Sequence, residues 1–275
     1  PAPETWSRSF ACTAGELRGE LAVVGLEDSR VDAVLLLQLS DRQESLVLSA
    51  SEPSVVLGHD PGETARKSAL GYLEVGTRHI LAGWDHLAFV LGLVWLLVHR
   101  SHHPTCDRWQ LARRLLAAIT AFTLGHSASL AAVTLGGLPL AVEPVEALIA
   151  LSVVLLAREL VHASGPTTTV KTSIATHPWR MASLFGLVHG CGFAGALTEI
   201  GLPPGTFAVA LAAFNIGVEL GQLAVVAGLL IILLPLFAGL PPRLHRYLTV
   251  TAGYCLGIVA SAWTLARILA FWNQP

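Results

Sequence analysis

Charge is scarce in this sequence. Asp, Glu, Lys and Arg make up only 13% of its 275 residues, about half the roughly 25% of a soluble domain. The formal net charge is −2, which excludes a broadly basic nucleic-acid binder. Cysteine is sparse too. Cys12, Cys106, Cys191 and Cys255 form no CxxC pair, so neither a disulfide framework nor a zinc ribbon is indicated. Cys191, beside His189, and Cys255 read as small packing residues. No GxxxxGK[ST] loop occurs, which excludes a Walker-type ATP site in this chain, and there is no HExxH helix motif.

Apolar runs are abundant instead. Mean hydropathy is +0.62 and 53% of residues are hydrophobic, with several runs near the 20 or so residues that span a bilayer. The pattern predicts an all-α polytopic membrane protein with about six transmembrane helices in a bundle. The expected spans cover 70–99, 109–135, 142–162, 179–200, 206–238 and 246–272. The fifth is long enough to tilt, or to break near Pro235. Residues 1–68 differ in character and read as a small β-rich extramembrane domain, followed by a transmembrane domain over 69–275. Strands are expected at 21–26, 31–39 and 44–48, with 34–37 apolar enough for burial on both faces. His59 and Asp60 sit in a connector and read as a turn.

Arg and Lys set the orientation. Arg100, Arg108, Arg113 and Arg114 fall in the first loop, Arg158, Lys171 and Arg180 in the third, and Arg243 and Arg246 in the fifth. The alternate loops, GGLPLAVEP and GLPPG, hold neither residue. The basic loops are therefore expected in the cytoplasm, with the N-terminal domain and the C-terminus outside a bacterial inner membrane. A chain starting at Pro1 fits removal of a signal peptide.

Polar residues break the apolar runs at a few places. The stretch 76–94, GTRHILAGWDHLAFVLGLV, carries His79, Asp85 and His86. A charge near a bilayer centre costs about 2.5–3.5 kcal/mol, so such groups are a functional-site hypothesis by default. His79 and His86, seven residues apart, share a helical face but lie about 10 Å apart along a straight helix. Gly83 between them leaves room for a helix, an ion or a kink. His126 and Ser127 interrupt the second span, and His189 lies among glycines in the fourth. Asn215, Glu219 and Gln222 share a face of the fifth. His79, Asp85, His86, His126, His189 and Glu219 make the economical polar centre, with Asn215, Gln222, Ser127 and Glu146 as supporting groups. Imidazoles suit Ni, Zn, Cu and Fe, and with carboxylates they can bind a divalent first-row ion without any thiolate.

Blander readings stand elsewhere. Arg78 pairs with Glu74, and Arg267 snorkels outward. Glu143 precedes or caps a helix. Glu146 is divided between capping and lining an outer vestibule. His99, His102 and His103 form a cytoplasmic cluster that reads as a solvated loop, with metal delivery as the alternative.

In these motifs the chain resembles the HupE/UreJ family, regarded as nickel permeases. His79, Gly83, Asp85 and His86 match the family's H-x-x-x-G-x-D-H signature. The branch with an N-terminal extracytoplasmic extension is similar through HILAGWDHLAFVL, ITAFTLGHSASLA, VEALIALSVVLLARE, FGLVHGCGFAGAL and FNIGVELGQL, and FACTAGELRG…LAVVGL looks like its extension. Ile80 stands where the signature has Pro, and Val90 where it has Met. The resemblance implies a permease whose substrate is nickel or another divalent ion. Two other functions compete: an intramembrane zinc hydrolase using the same cluster, with Asp85 or Glu219 activating water, and an accessory protein whose N-terminal domain binds a periplasmic partner. A permease needs polar stations toward both faces, a hydrolase one closed first shell with a water and a lateral substrate opening, and an accessory protein neither.

Overall fold

A computed structural model describes residues 19–26, 28, 33–38, 43–50, 53–57, 61–101, 108–136, 141–164, 177–200 and 204–272. The chain divides into two compact units, Pro1–Arg78 with Ala196–Gly217, and His79–Gly195 with Val218–Pro275.

Among the described residues, the first unit contains four short strands. β1 (Gly19–Ala22) pairs antiparallel with β4 (Ser54–Leu57), and β2 (Ala33–Gln38) pairs antiparallel with β3 (Gln43–Leu48). The register places Glu20 opposite Val56 and Ala22 opposite Ser54, and the Ser54 hydroxyl donates to Glu20 Oε1 at 2.6 Å. β2 is apolar yet only partly buried at Val34 and Leu35. The expected burial on both faces fails because each sheet has just two strands among the described residues. Leu46 and Leu48 of β3 are buried. Helix α1 (Pro61–Ala82) packs against Val47 of the same strand, since a Cβ at Gly71 would lie 2.9 Å from Val47 Cβ. Helix α6 (Pro204–Ala238) meets α1 backbone to backbone within this unit. A Cβ at Gly217 would strike the Leu73 carbonyl, and Thr77 Oγ1 donates to Gly217 O at 3.1 Å.

The second unit is helical. It contains α2 (Trp84–Ser101), α3 (Arg108–Gly136), α4 (Val142–Ala163), most of α5 (Pro178–Ile200), the later part of α6, and α7 (Pro242–Trp272). Its core joins Phe89, Leu93 and Leu97 of α2 to Leu115 and Phe122 of α3, Leu156 of α4 and Phe185 of α5. Interdigitated apolar side chains of this kind supply the main packing energy. α4 runs against α7 and α2. Glycine permits the approach, since a Cβ at Gly253 would sit 2.6 Å from Val161 Cγ2. Arg267 is tied here rather than snorkelling outward: its Nε lies 3.2 Å from Glu146 Oε2. Cys255, expected inside, is exposed on α7.

Among the described residues, three helical stretches are long and apolar enough to cross a membrane: α3, Phe207–Ala238 of α6, and α7. The bent pair α1–α2 makes a fourth when counted as one span. α4 coincides with the expected third span, but Glu146, Arg158 and Glu159 interrupt its apolar run. α5 coincides with the expected fourth span but is not among these stretches. α6 continues through Pro235 to Ala238 without breaking. Ile231, Ile258, Leu265 and Trp272 are exposed. Apolar exposure on that scale is paid for in lipid rather than in water.

Candidate polar centre

The first expected span is not straight. Its helix breaks at Gly83 and turns by 71° into α2. The ladder is carried across the break by Gly83 N–H to His79 O at 3.1 Å and Leu87 N–H to Gly83 O at 3.0 Å. A Cβ at Gly83 would lie 2.9 Å from His79 O and 3.2 Å from Asp85 Oδ1, so any larger residue crowds the bend. The consequence is a correction to the straight-helix spacing of His79 and His86. Their ring centroids lie 4.7 Å apart, edge to face.

Glycine also sets the partner helices. α3 and α5 cross with backbone against backbone. A Cβ at Gly125 would collide with the Ser183 carbonyl, one at Gly186 with the Phe122 carbonyl, and one at Gly190 with His126 O and Ser129 Oγ. Small residues at a helix seam allow this approach. His126 and His189 are thereby drawn in. The His126 centroid lies 6.0 Å from His79 and 6.5 Å from His86, and the His189 centroid 5.0 Å from His86. His126 is fully buried, with His86 and His189 almost so. The walls are aromatic: Phe122 lies 5.1 Å and Phe89 6.0 Å from the His189 ring. The sequence reading missed these phenylalanines, because apolar residues in an apolar run carry no distinguishing signal.

Two of the imidazoles are oriented by specific acceptors. His189 Nδ1 lies 2.8 Å from the Phe185 carbonyl, which can only accept. His86 Nδ1 lies 3.1 Å from Asp85 Oδ1, which also accepts the His86 backbone N–H at 2.9 Å. Each Nδ1 therefore carries its ring's proton in the neutral form, and each Nε2 keeps a lone pair. His86 Nε2 and His189 Nε2 are both buried without a hydrogen-bond partner. A carbonyl or carboxylate behind an imidazole is the usual means of aiming a metal-binding nitrogen. Asp85 thus serves His86 in this geometry, rather than standing as an independent donor.

The remaining expected residues lie at distinct places. Glu219 Oε1 accepts from Thr120 Oγ1 at 2.7 Å, and Gln222 Oε1 accepts from Thr123 Oγ1 at 3.2 Å. Thr120 precedes His126 by six residues, about 9 Å along α3. Ser127 donates to Thr123 O at 2.7 Å and so bonds its own helix. Asn215 likewise donates to Leu211 O at 2.8 Å. Glu146 is held by Arg267, and Arg78 pairs with Glu74 at 2.9 Å. Cys191 is a free thiol. Ile80 and Val90, at the two departures from the family signature, are buried in the core. Cys12, His59, Asp60, His102, His103 and Cys106 lie outside the described residues.

His99 corrects another expectation. It faces His245 and Thr249 instead of belonging to a solvated loop, and His245 is buried. His245 escaped notice because it immediately precedes the apolar run of the last span.

Among the described residues, no three His, Cys, Asp or Glu side chains close on one point as a metal's complete ligand set would. A family model described as "HupE / UreJ protein" matches residues 59–267. No curated protein and no solved structure matches the chain.

Proposed function

The chain belongs to the HupE/UreJ family, and we propose that it is a membrane permease for a divalent transition-metal ion, with nickel as the first substrate to test. One observation carries this reading. His86 and His189 lie 5.0 Å apart, buried, each with Nδ1 engaged and Nε2 bare. Imidazole nitrogens held in this way suit Ni²⁺ or Zn²⁺. His79 and His126 extend the same set, and Asp85 lends it negative charge. Glu219 of α6, bonded to Thr120 about 9 Å along α3 from His126, supplies a second polar station. Donors spread over successive positions, rather than closed into one shell, favour passage over retention of an ion.

In this reading the helices form a six-span bundle in a bacterial inner membrane. The Arg-rich loops face the cytoplasm, while residues 1–68 form an outer domain that can meet a periplasmic partner. The Arg and Lys distribution supports that orientation.

The test combines metal analysis of the purified protein with uptake of radioactive nickel into proteoliposomes. Saturable uptake, lost in His86→Ala, is the expected result. Stoichiometric, tightly bound zinc with no uptake of any divalent ion would overturn it and turn attention to hydrolysis.

A further inference from the structure

A second pair of histidines lies at the other end of α2. His99 follows His86 by thirteen residues, about 20 Å along the helix. His99 Nδ1 lies 3.4 Å from His245 Nε2, and the ring centroids are 4.7 Å apart. Thr249 Oγ1 lies 3.2 Å from the same His99 nitrogen. The opposite nitrogen, His99 Nε2, faces Ser164 Oγ at 3.4 Å. α2, the C-cap of α4 and α7 thus each contribute a side chain.

The separation between the facing nitrogens is informative. Two imidazole nitrogens bound tetrahedrally at a metal–nitrogen distance of 2.0–2.1 Å stand about 3.3–3.4 Å apart. The hydroxyls are placed to select the required tautomer. Ser164 gives its own proton to Leu160 O at 3.2 Å, so its oxygen can accept from His99 Nε2–H. That leaves the His99 lone pair on Nδ1, where it accepts from His245 Nε2–H, and a bound ion would take the place of that shared proton. Thr249 gives its proton to His245 O at 2.9 Å and accepts from Trp95 Nε1 at 3.2 Å. Phe237, 4.2 Å from the His245 ring, forms an apolar wall. The buried carboxylate nearby in sequence space to α4's end, Glu159, is engaged by Arg100 at 3.4 Å.

We propose that His99 and His245 form a second divalent transition-metal site, with two nitrogens from the protein and the remaining positions filled by water or by the Thr249 hydroxyl. As the station by which an ion leaves the polar centre, it rests on the permease reading; as a binding site it stands independently.

Purified full-length protein in lipid nanodiscs is titrated with Zn²⁺ alone, and stoichiometry is read by equilibrium dialysis. Wild type is expected to bind about two ions per chain, falling to about one in His99→Ala, in His245→Ala and in His86→Ala. Unchanged stoichiometry in both His99→Ala and His245→Ala overturns the site, as does a wild type that binds fewer than two. Loss in these two variants with none in His86→Ala upholds the site and defeats the polar-centre reading instead. Should the alanine variants misfold, Co²⁺ quenching of tryptophan emission in folded wild type decides. Trp95 is one hydrogen bond from Thr249, so Trp95→Phe should remove a saturable part of the quenching. Quenching identical in wild type and Trp95→Phe overturns the proposal.

Discussion

The two histidine groups on α2 are built in opposite ways. At its start, the chain bends at Gly83 and the rings meet because the backbone permits it. Gly125, Gly186 and Gly190 then bring α3 and α5 into direct contact, carrying His126 and His189. At its end, α2 is regular, and His99 meets His245 through hydroxyls contributed by Ser164 and Thr249. One group is specified by what is missing from the glycines, the other by what side chains add. The difference shows in tolerance. A glycine seam has no side chain that can rotate aside, whereas a hydroxyl can be replaced with limited loss.

The largest effect expected is at the first group. His189→Ala should abolish saturable uptake in proteoliposomes, and Asp85→Asn should weaken metal affinity about 10–100-fold by releasing the His86 ring. Full affinity in Asp85→Asn would remove Asp85 from the positioning role. Next comes the seam. Gly190→Ala should destabilise the fold by about 1–3 kcal/mol, since its Cβ enters backbone atoms of His126. Gly228→Ala, with nothing within 4 Å, should be neutral or stabilising by up to about 1 kcal/mol. Thermal unfolding in nanodiscs distinguishes them, and equal midpoints would refute the packing account. The smallest effect belongs to Arg267→Gln. The pair with Glu146 is partly exposed, so its loss should cost about 0–1 kcal/mol and leave uptake within about twofold. A collapse of uptake would give that ion pair a role in transport.

What could be read from the sequence divides along physical lines. A histidine in an apolar run costs too much to be incidental, so His79, His86, His126 and His189 were visible one by one. Their mutual distances were not. A straight-helix rule cannot foresee a 71° turn at a single glycine, although Gly83 marked where a kink could occur. Three strands were placed near β1, β2 and β3, but β4 is a four-residue run with little periodicity. His99 and His245, 146 positions apart in sequence, become a pair only through packing of α2 and α7.

The backbone contact between α3 and α5 bears on motion. Alternating access requires some helices to shift while others stay in place. Side-chain interfaces can slip by exchanging rotamers; a carbonyl resting against a glycine Cα can slip only by parting. In the permease reading this pair would stay fixed, and any rocking motion would be taken up elsewhere.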